Sequence, residues 1–167
     1  MVKKPYTIIH AFKPTENKVR FIAKLMLEEP LYLSDEFRNP QTIQQVLIYY
    51  LYGSNAMWYE LGDFGGILAF INVSPGYKAE ILFWLWDKKV WSPGMAKELR
   101  DFSSDFMKWY KLKRLSASTP DERGVRIAEM AGFKVEGKCK FGFRWNGVLH
   151  TNVLLRKLWE GKKWLHQ

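Results

Sequence analysis

The chain is poor in the residues from which metal centres and disulfide frameworks are built. Cys139 is its one cysteine, which excludes an internal disulfide and a Cys-rich metal site. His10, His150 and His166 are scattered and show no metal-ligand spacing. No run approaches the ~20 apolar residues of a membrane span. Met1-Val2-Lys3-Lys4-Pro5 leads into no signal-like apolar segment. No internal repeat, low-complexity tract or linker interrupts the 167 residues, so a single domain over 1–167 is expected, long enough to bury its own core. A reduced, cytoplasmic setting is the corresponding expectation.

Acidic residues are also in short supply. Against 26 Lys and Arg stand 17 Asp and Glu, a net charge of +9. Lys108, Lys111, Lys113 and Arg114 cluster together, and Arg156, Lys157, Lys162 and Lys163 crowd the C-terminus. A solvated basic surface would account for this, and so would an RNA, DNA or acidic-protein partner. The balance speaks against a polyamine substrate, which favours an acidic mouth.

What is abundant is aromatic and apolar: 16% of residues are aromatic, with eight Trp. Tyr6 to Phe12 reads as a first strand, and Val19, Ile22, Leu25 and Met26 recur at helical spacing over Thr15 to Glu29. Asn39-Pro40 caps a second helix with the apolar face Ile43, Val46, Leu47 and Tyr50, stopped by Gly53. Ala56 to Leu61, Gly66 to Val73 and Lys78 to Trp86 form an expected antiparallel meander, with turns at Gly62-Asp63 and Ser74-Pro75-Gly76. The third of these runs is apolar on both alternating faces apart from Glu80, as in a strand covered on both sides. A helix over Met95 to Leu112 and a strand over Leu115 to Ser118 follow. Thr119-Pro120-Asp121-Glu122 then reads as a capping box, opening a helix that ends at Gly132. Asn146-Gly147 joins strands Phe133 to Trp145 and Val148 to Leu158 in a two-residue hairpin.

Within Ala79 to Leu99 a strand, a short lysine-bearing loop and a helix start follow one another. Backbone N–H groups and the helix dipole at such a junction favour an anion. The spacing Trp91-x-x-Gly94-x-Ala96 resembles the Q/R-x-x-G-x-G/A acetyl-CoA loop of the GNAT superfamily of N-acetyltransferases. Asp121-Glu-Arg-Gly-Val-Arg-Ile-Ala-Glu-Met-Ala-Gly-Phe133 resembles the family's N-x-x-S-x-x-V-x-x-x-x-G-F block. The nearest likeness is to the Rim-type group, which acts on ribosomal-protein N-termini. The resemblance implies an α/β (α+β) fold: a mixed, mostly antiparallel sheet of about seven strands, flanked by about four helices.

It also implies acetyl-CoA as donor and an amine, of a protein, as acceptor. Trp84, Leu85 and Trp86 would give main-chain contacts to the cofactor. Trp91, Ser92, Pro93, Gly94, Met95, Ala96 and Lys97 would form the pyrophosphate turn. Glu80 stands where many members carry a general base, a role that burial beside an aromatic cleft would assist; an ion pair or a wet strand end is the plainer alternative. Asp121 stands where the family contacts the cofactor amide, though it would equally serve the helix N-terminus. Trp58, Tyr59, Trp84 and Trp86 suit either an acceptor pocket or ordinary core packing, and Cys139 reads as a small buried apolar residue.

Three positions depart from the family pattern. Ala128 occupies the place of a general-acid Tyr, Pro93 deletes one N–H from the turn, and Gly124 replaces a Ser. They leave a second reading open, a non-catalytic binding or structural module on the same fold. Acceptor identity and oligomeric state are not legible; the former lies in the loops before Asn55 and in the last hairpin.

Overall fold

The computed structural model describes residues 6–28, 34–53, 55–159 and 161. Met1 to Pro5, Glu29, Lys162, Lys163 and His166, singled out above, lie outside the described residues. In chain order the elements are β1 (Ile9–Ala11), α1 (Glu16–Glu28), α2 (Pro40–Ile48), β2 (Met57–Leu61), β3 (Gly66–Ser74), β4 (Lys78–Leu85), α3 (Pro93–Trp109), β5 (Arg114–Thr119), α4 (Glu122–Met130), β6 (Lys134–Trp145) and β7 (Val148–Leu158). The strands form one seven-stranded sheet in the order β1-β2-β3-β4-β5-β7-β6. Every neighbouring pair is antiparallel except β4 and β5.

Strand alternation sends two apolar sets to opposite faces. On one face Leu68, Phe70, Ala79, Ile81, Leu115 and Leu155 pack against Met95, Leu99, Phe102 and Phe106 of α3, with Val125, Ile127 and Ala128 of α4 beside them. On the other, Ile67 and the partly buried Trp58 and Trp84 meet Ile22 and Met26 of α1 and Ile43 and Leu47 of α2. The helices thus cover both faces of the seven-stranded sheet, in the order that the resemblance implied.

Several boundaries move for identifiable reasons. β1 is short because Glu98 Oε1 accepts the Ile8 and Ile9 amides, at 2.7 and 2.9 Å, where a longer strand would begin. α3 starts at Pro93 rather than Met95, since the Ser92 hydroxyl caps the Met95 amide and Pro93 takes a first-turn position. It stops at Trp109, and Lys111 turns left-handed (φ 53°) immediately after. The capping box read at Thr119 is displaced: Asp121 is the N-cap, accepting from the Arg123 amide, and Thr119 Oγ1 instead accepts from the Asp121 amide at 3.1 Å. Asn146 and Gly147 both have positive φ (47° and 75°), the conformation a tight hairpin turn requires.

Candidate active site

The sheet opens at one seam. The parallel β4–β5 register is confined to Lys78–Glu80 against Arg114–Ser116. Beyond the Glu80–Ser116 pair the ladder ends, although β4 continues to Leu85 and β5 to Thr119. Each strand stays fixed on its far side, β4 to β3 as far as Leu85 and β5 to β7 as far as Thr119. The result is a fork with both arms anchored, in which an extended ligand could lie like an added strand.

Main-chain parity decides which groups face the fork. The Trp86 amide donates to Gly65 O at 3.1 Å, toward β3. Alternation along the strand directs the amides of Trp84 and Leu82 the same way, and those of Ile81, Phe83 and Leu85 toward β5. Of the expected contacts Trp84, Leu85 and Trp86, the first and last turn their amides to β3, and Leu85 lies on the fork side. The Ile81 amide closes the last rung of the ladder on Ser116 O, so Phe83 is the first residue past that rung whose amide faces the fork; the parity is set by the register with β3 and no residue type signals it.

Past β4 the chain folds over a glycine pair. A Cβ on Gly65 would run into Val90, and one on Gly66 would stand 2.7 Å from the Trp84 carbonyl. The space lets the turn Asp87–Val90 sit down on Gly65 O, which accepts the Trp86 and Asp87 amides. Asp87 caps this turn through the Lys89 amide at 2.9 Å, leaving Lys88 and Lys89 exposed. In the following turn, Met95 N–H donates to Ser92 Oγ and Ala96 N–H to Ser92 O, both at 3.1 Å. Gly94, second in the helix, comes too early for an intrahelical acceptor.

Gly94 has an ordinary φ, and a Cβ there would meet only Ser92 Oγ at 3.6 Å. Nothing among the described residues demands glycine here, and the space that a Cβ on Gly94 would enter is open. A diphosphate fits such a cradle: it needs close approach to backbone N–H groups and a nearby cation, here Lys88, Lys89 or Lys97. The Met95 and Ala96 side chains are buried in the α3 core, while Trp91 stands exposed at the edge of the turn.

Glu80 sits at the point of the fork, exposed and accepting from Asn72 Nδ2 at 3.1 Å. Asp121 Oδ1 holds the α4 N-terminus, 3.0 Å from the Arg123 amide. Gly124 has a structural cause, since Thr119 occupies the place of a side chain. Among the aromatics, Trp58 and Trp84 pack together on the α1 face, ring centroids 6.5 Å apart, whereas Tyr59 lies on the other face against Phe102. The four do not form one pocket. Cys139 is exposed on the edge strand β6, contrary to its expected burial, at the start of the irregularity between Cys139 and Phe143.

At the end of the sheet where the fork opens, the connector before α2 grips the last hairpin. Asp35 accepts the Asn146 and Gly147 amides at 2.9 and 2.8 Å, and Arg38 stacks 3.6 Å from the Trp145 ring centre. The Gly147 amide, outweighing partial burial and joined by Asn146 and Arg38, keeps Asp35 below the usual carboxylate range. A recess of about 210 Å³ beside the grip is lined by Glu36, Phe141, Phe143 and Arg144 among others. The basic residues do not act as one surface: Arg114 and Arg156 converge on Glu136, and Lys157 points inward to Ser103 and the Arg100 and Ala131 carbonyls. Among the described residues no helix is long and apolar enough to cross a membrane, and no group of three or more His, Cys, Asp or Glu is placed to hold a metal.

Comparison with solved structures places this fold among N-acetyltransferases. A spermidine N-acetyltransferase from Vibrio cholerae, in complex with CoA and spermine, superposes with a TM-score of 0.69 at 15% identity, covering 90% of this chain and 94% of that one. RimL, a ribosomal L7/L12 alpha-N-protein acetyltransferase in complex with CoA, gives 0.64 at 18% identity, over 92% and 96%. The chain has the GNAT fold. No protein-family model and no curated sequence matches it. Since a polyamine enzyme and a protein enzyme share the layout at these identities, the GNAT fold does not choose the acceptor.

Proposed function

We propose that the protein is an acetyl-CoA-dependent N-acetyltransferase that acylates a primary amine. The observation that carries this is the anchored fork beyond Glu80–Ser116, with the open Gly94 cradle at its far end. Bound acetyl-CoA would supply an acetyl group already activated as a thioester. The main chain of β4 past the last rung, at Phe83 and Leu85, would lie along its pantetheine arm. The Ser92–Lys97 turn, with Lys88 and Lys89, would hold the phosphates, and Asp121 keeps Oδ2 for a cofactor amide.

Glu80 would take the proton of the attacking amine. The Phe83 amide, directed into the fork, would face negative charge developing on the carbonyl oxygen. α4 carries no Tyr, so proton delivery to the leaving thiolate falls to water. This is tolerable for a thiol, whose ordinary pKa is about 8.5.

A protein amine suits the net charge of +9 better than a polyamine does. The non-catalytic reading has less behind it, because Gly124, one of its three supports, is explained by Thr119. Calorimetric titration with acetyl-CoA tests the proposal, followed by thiol release with free-N-terminus peptides and with spermidine. Saturable binding with amine-dependent release is expected. No heat at millimolar acetyl-CoA would reject it.

A further inference from the structure

β3 carries an irregularity at the height of the fork. Its register with β4 runs evenly from Gly66 to Ile71 and shifts between Ile71 and Ser74. Asn72 at the shift is left-handed, φ 51°. Leu68 and Phe70 point to the α3 face, and strict alternation would send Asn72 there too, into the core. The bulge changes the phase: Val73 joins that core in its place, and Asn72 emerges exposed with its amide on Glu80. Re-aiming a side chain is a known consequence of a bulge.

We propose that Asn72 is a positioning residue for Glu80, an inference that rests on the reading of Glu80 as the base. A bulge alone would be served at least as well by glycine, which adopts positive φ without a Cβ penalty. Asparagine tolerates the conformation and adds a donor. Its Nδ2 fixes Glu80 Oε1 at 3.1 Å, leaving Oε2 to accept the amine's proton at the point where β4 and β5 part. The bond is exposed and adds little to stability; what it limits is the set of rotamers a lone surface glutamate would sample.

Asn72→Gly separates the two roles, since it keeps the bulge and deletes the donor. Thiol release from acetyl-CoA is measured with water as acceptor and with the amines named above, in wild type, Asn72→Gly and Glu80→Gln. Asn72→Gly is expected to lower kcat about tenfold, a fraction of what a general base supplies, with KM for acetyl-CoA and the melting midpoint unchanged. The side-chain amide signal of Asn72 in a ¹H–¹⁵N spectrum is expected to move in Glu80→Gln. Wild-type kcat in Asn72→Gly beside an inactive Glu80→Gln would overturn the positioning role and leave the base reading intact. Wild-type kcat in Glu80→Gln, or cofactor binding without any thiol release in wild type, overturns both. Should Asn72→Gly melt early, an Asn72 signal unmoved by Glu80→Gln overturns the proposal by itself.

Discussion

Thr119 fills the space in front of Gly124: a Cβ on Gly124 would stand 2.6 Å from Thr119 Oγ1 and 3.1 Å from its Cγ2. Thr119 ends β5 at the mouth of the fork, and its hydroxyl also accepts the Asp121 amide at 3.1 Å. Strand end, helix cap and glycine are one packed unit.

In an open helix, Gly124→Ala would stabilise by about 0.5–1 kcal/mol. Here the overlap reverses the sign, and a loss of about 1–2 kcal/mol is expected, typical of modest overpacking. Urea unfolding measures it. In a Thr119→Ala background the loss should vanish or become a gain, and equal losses in both backgrounds would disprove the coupling.

Glu98 ties the first strand to α3. Burial alone would push its carboxyl up, but the Ile8 and Ile9 amides and the Thr7 hydroxyl outweigh it and hold the group below its ordinary value. A carboxylate lowered in the folded state contributes stability that is fully present above the unfolded pKa, about 4.3, and is lost as pH falls through the folded value. Glu98→Gln should therefore flatten the acid limb of the stability curve. Amide exchange at Ile8 and Ile9 should also quicken about tenfold, as loss of roughly 1.4 kcal/mol of charge-assisted bonding implies.

Lys157 carries the opposite sign. Burial first, then the Arg100 guanidinium, lowers it to about 8. Unfolded, it titrates near 10.4, so between about pH 8 and pH 10 the unfolded chain binds more protons and stability rises with pH. Subtracting the Lys157→Met curve from the wild-type curve should isolate that rise. Lys157→Met should also be less stable at every pH, since it abandons the Arg100 and Ala131 carbonyls that Lys157 Nζ holds at 2.9 and 3.0 Å.

Local chemistry made much of this legible. The Asn146-Gly147 turn, the Gly132 helix stop (φ 88°) and the meander follow from turn residues and periodicity. The fork did not: no residue type announces that β4 leaves β5 after Glu80, and only family likeness suggested it. Amide parity at Trp84 depends on the register with β3, and the exposure of Cys139 falls at an irregularity of β6; periodicity identifies neither. The Asp35 grip on the hairpin joins residues more than 100 positions apart. The Asn72–Glu80 bond needs a bulge, and the sequence marks it only by a polar residue closing an apolar run.

Gly94 offers the sharpest separation of fold from ligand. With open space beyond its Cα, Gly94→Ala should leave the free protein as stable as before, or more stable by up to about 1 kcal/mol from helix propensity. If a diphosphate approaches that amide, the added methyl stands where an oxygen must come, and CoA binding should weaken at least about tenfold, the factor for 1.4 kcal/mol. Lys88→Ala with Lys89→Ala should weaken binding too, but mainly at low salt, because exposed charges are screened. Calorimetry at two ionic strengths distinguishes the two effects: a methyl in the way is indifferent to salt, and a missing cation is not. Unchanged CoA affinity in Gly94→Ala would place the phosphates elsewhere on the loop, even with the fork correctly assigned.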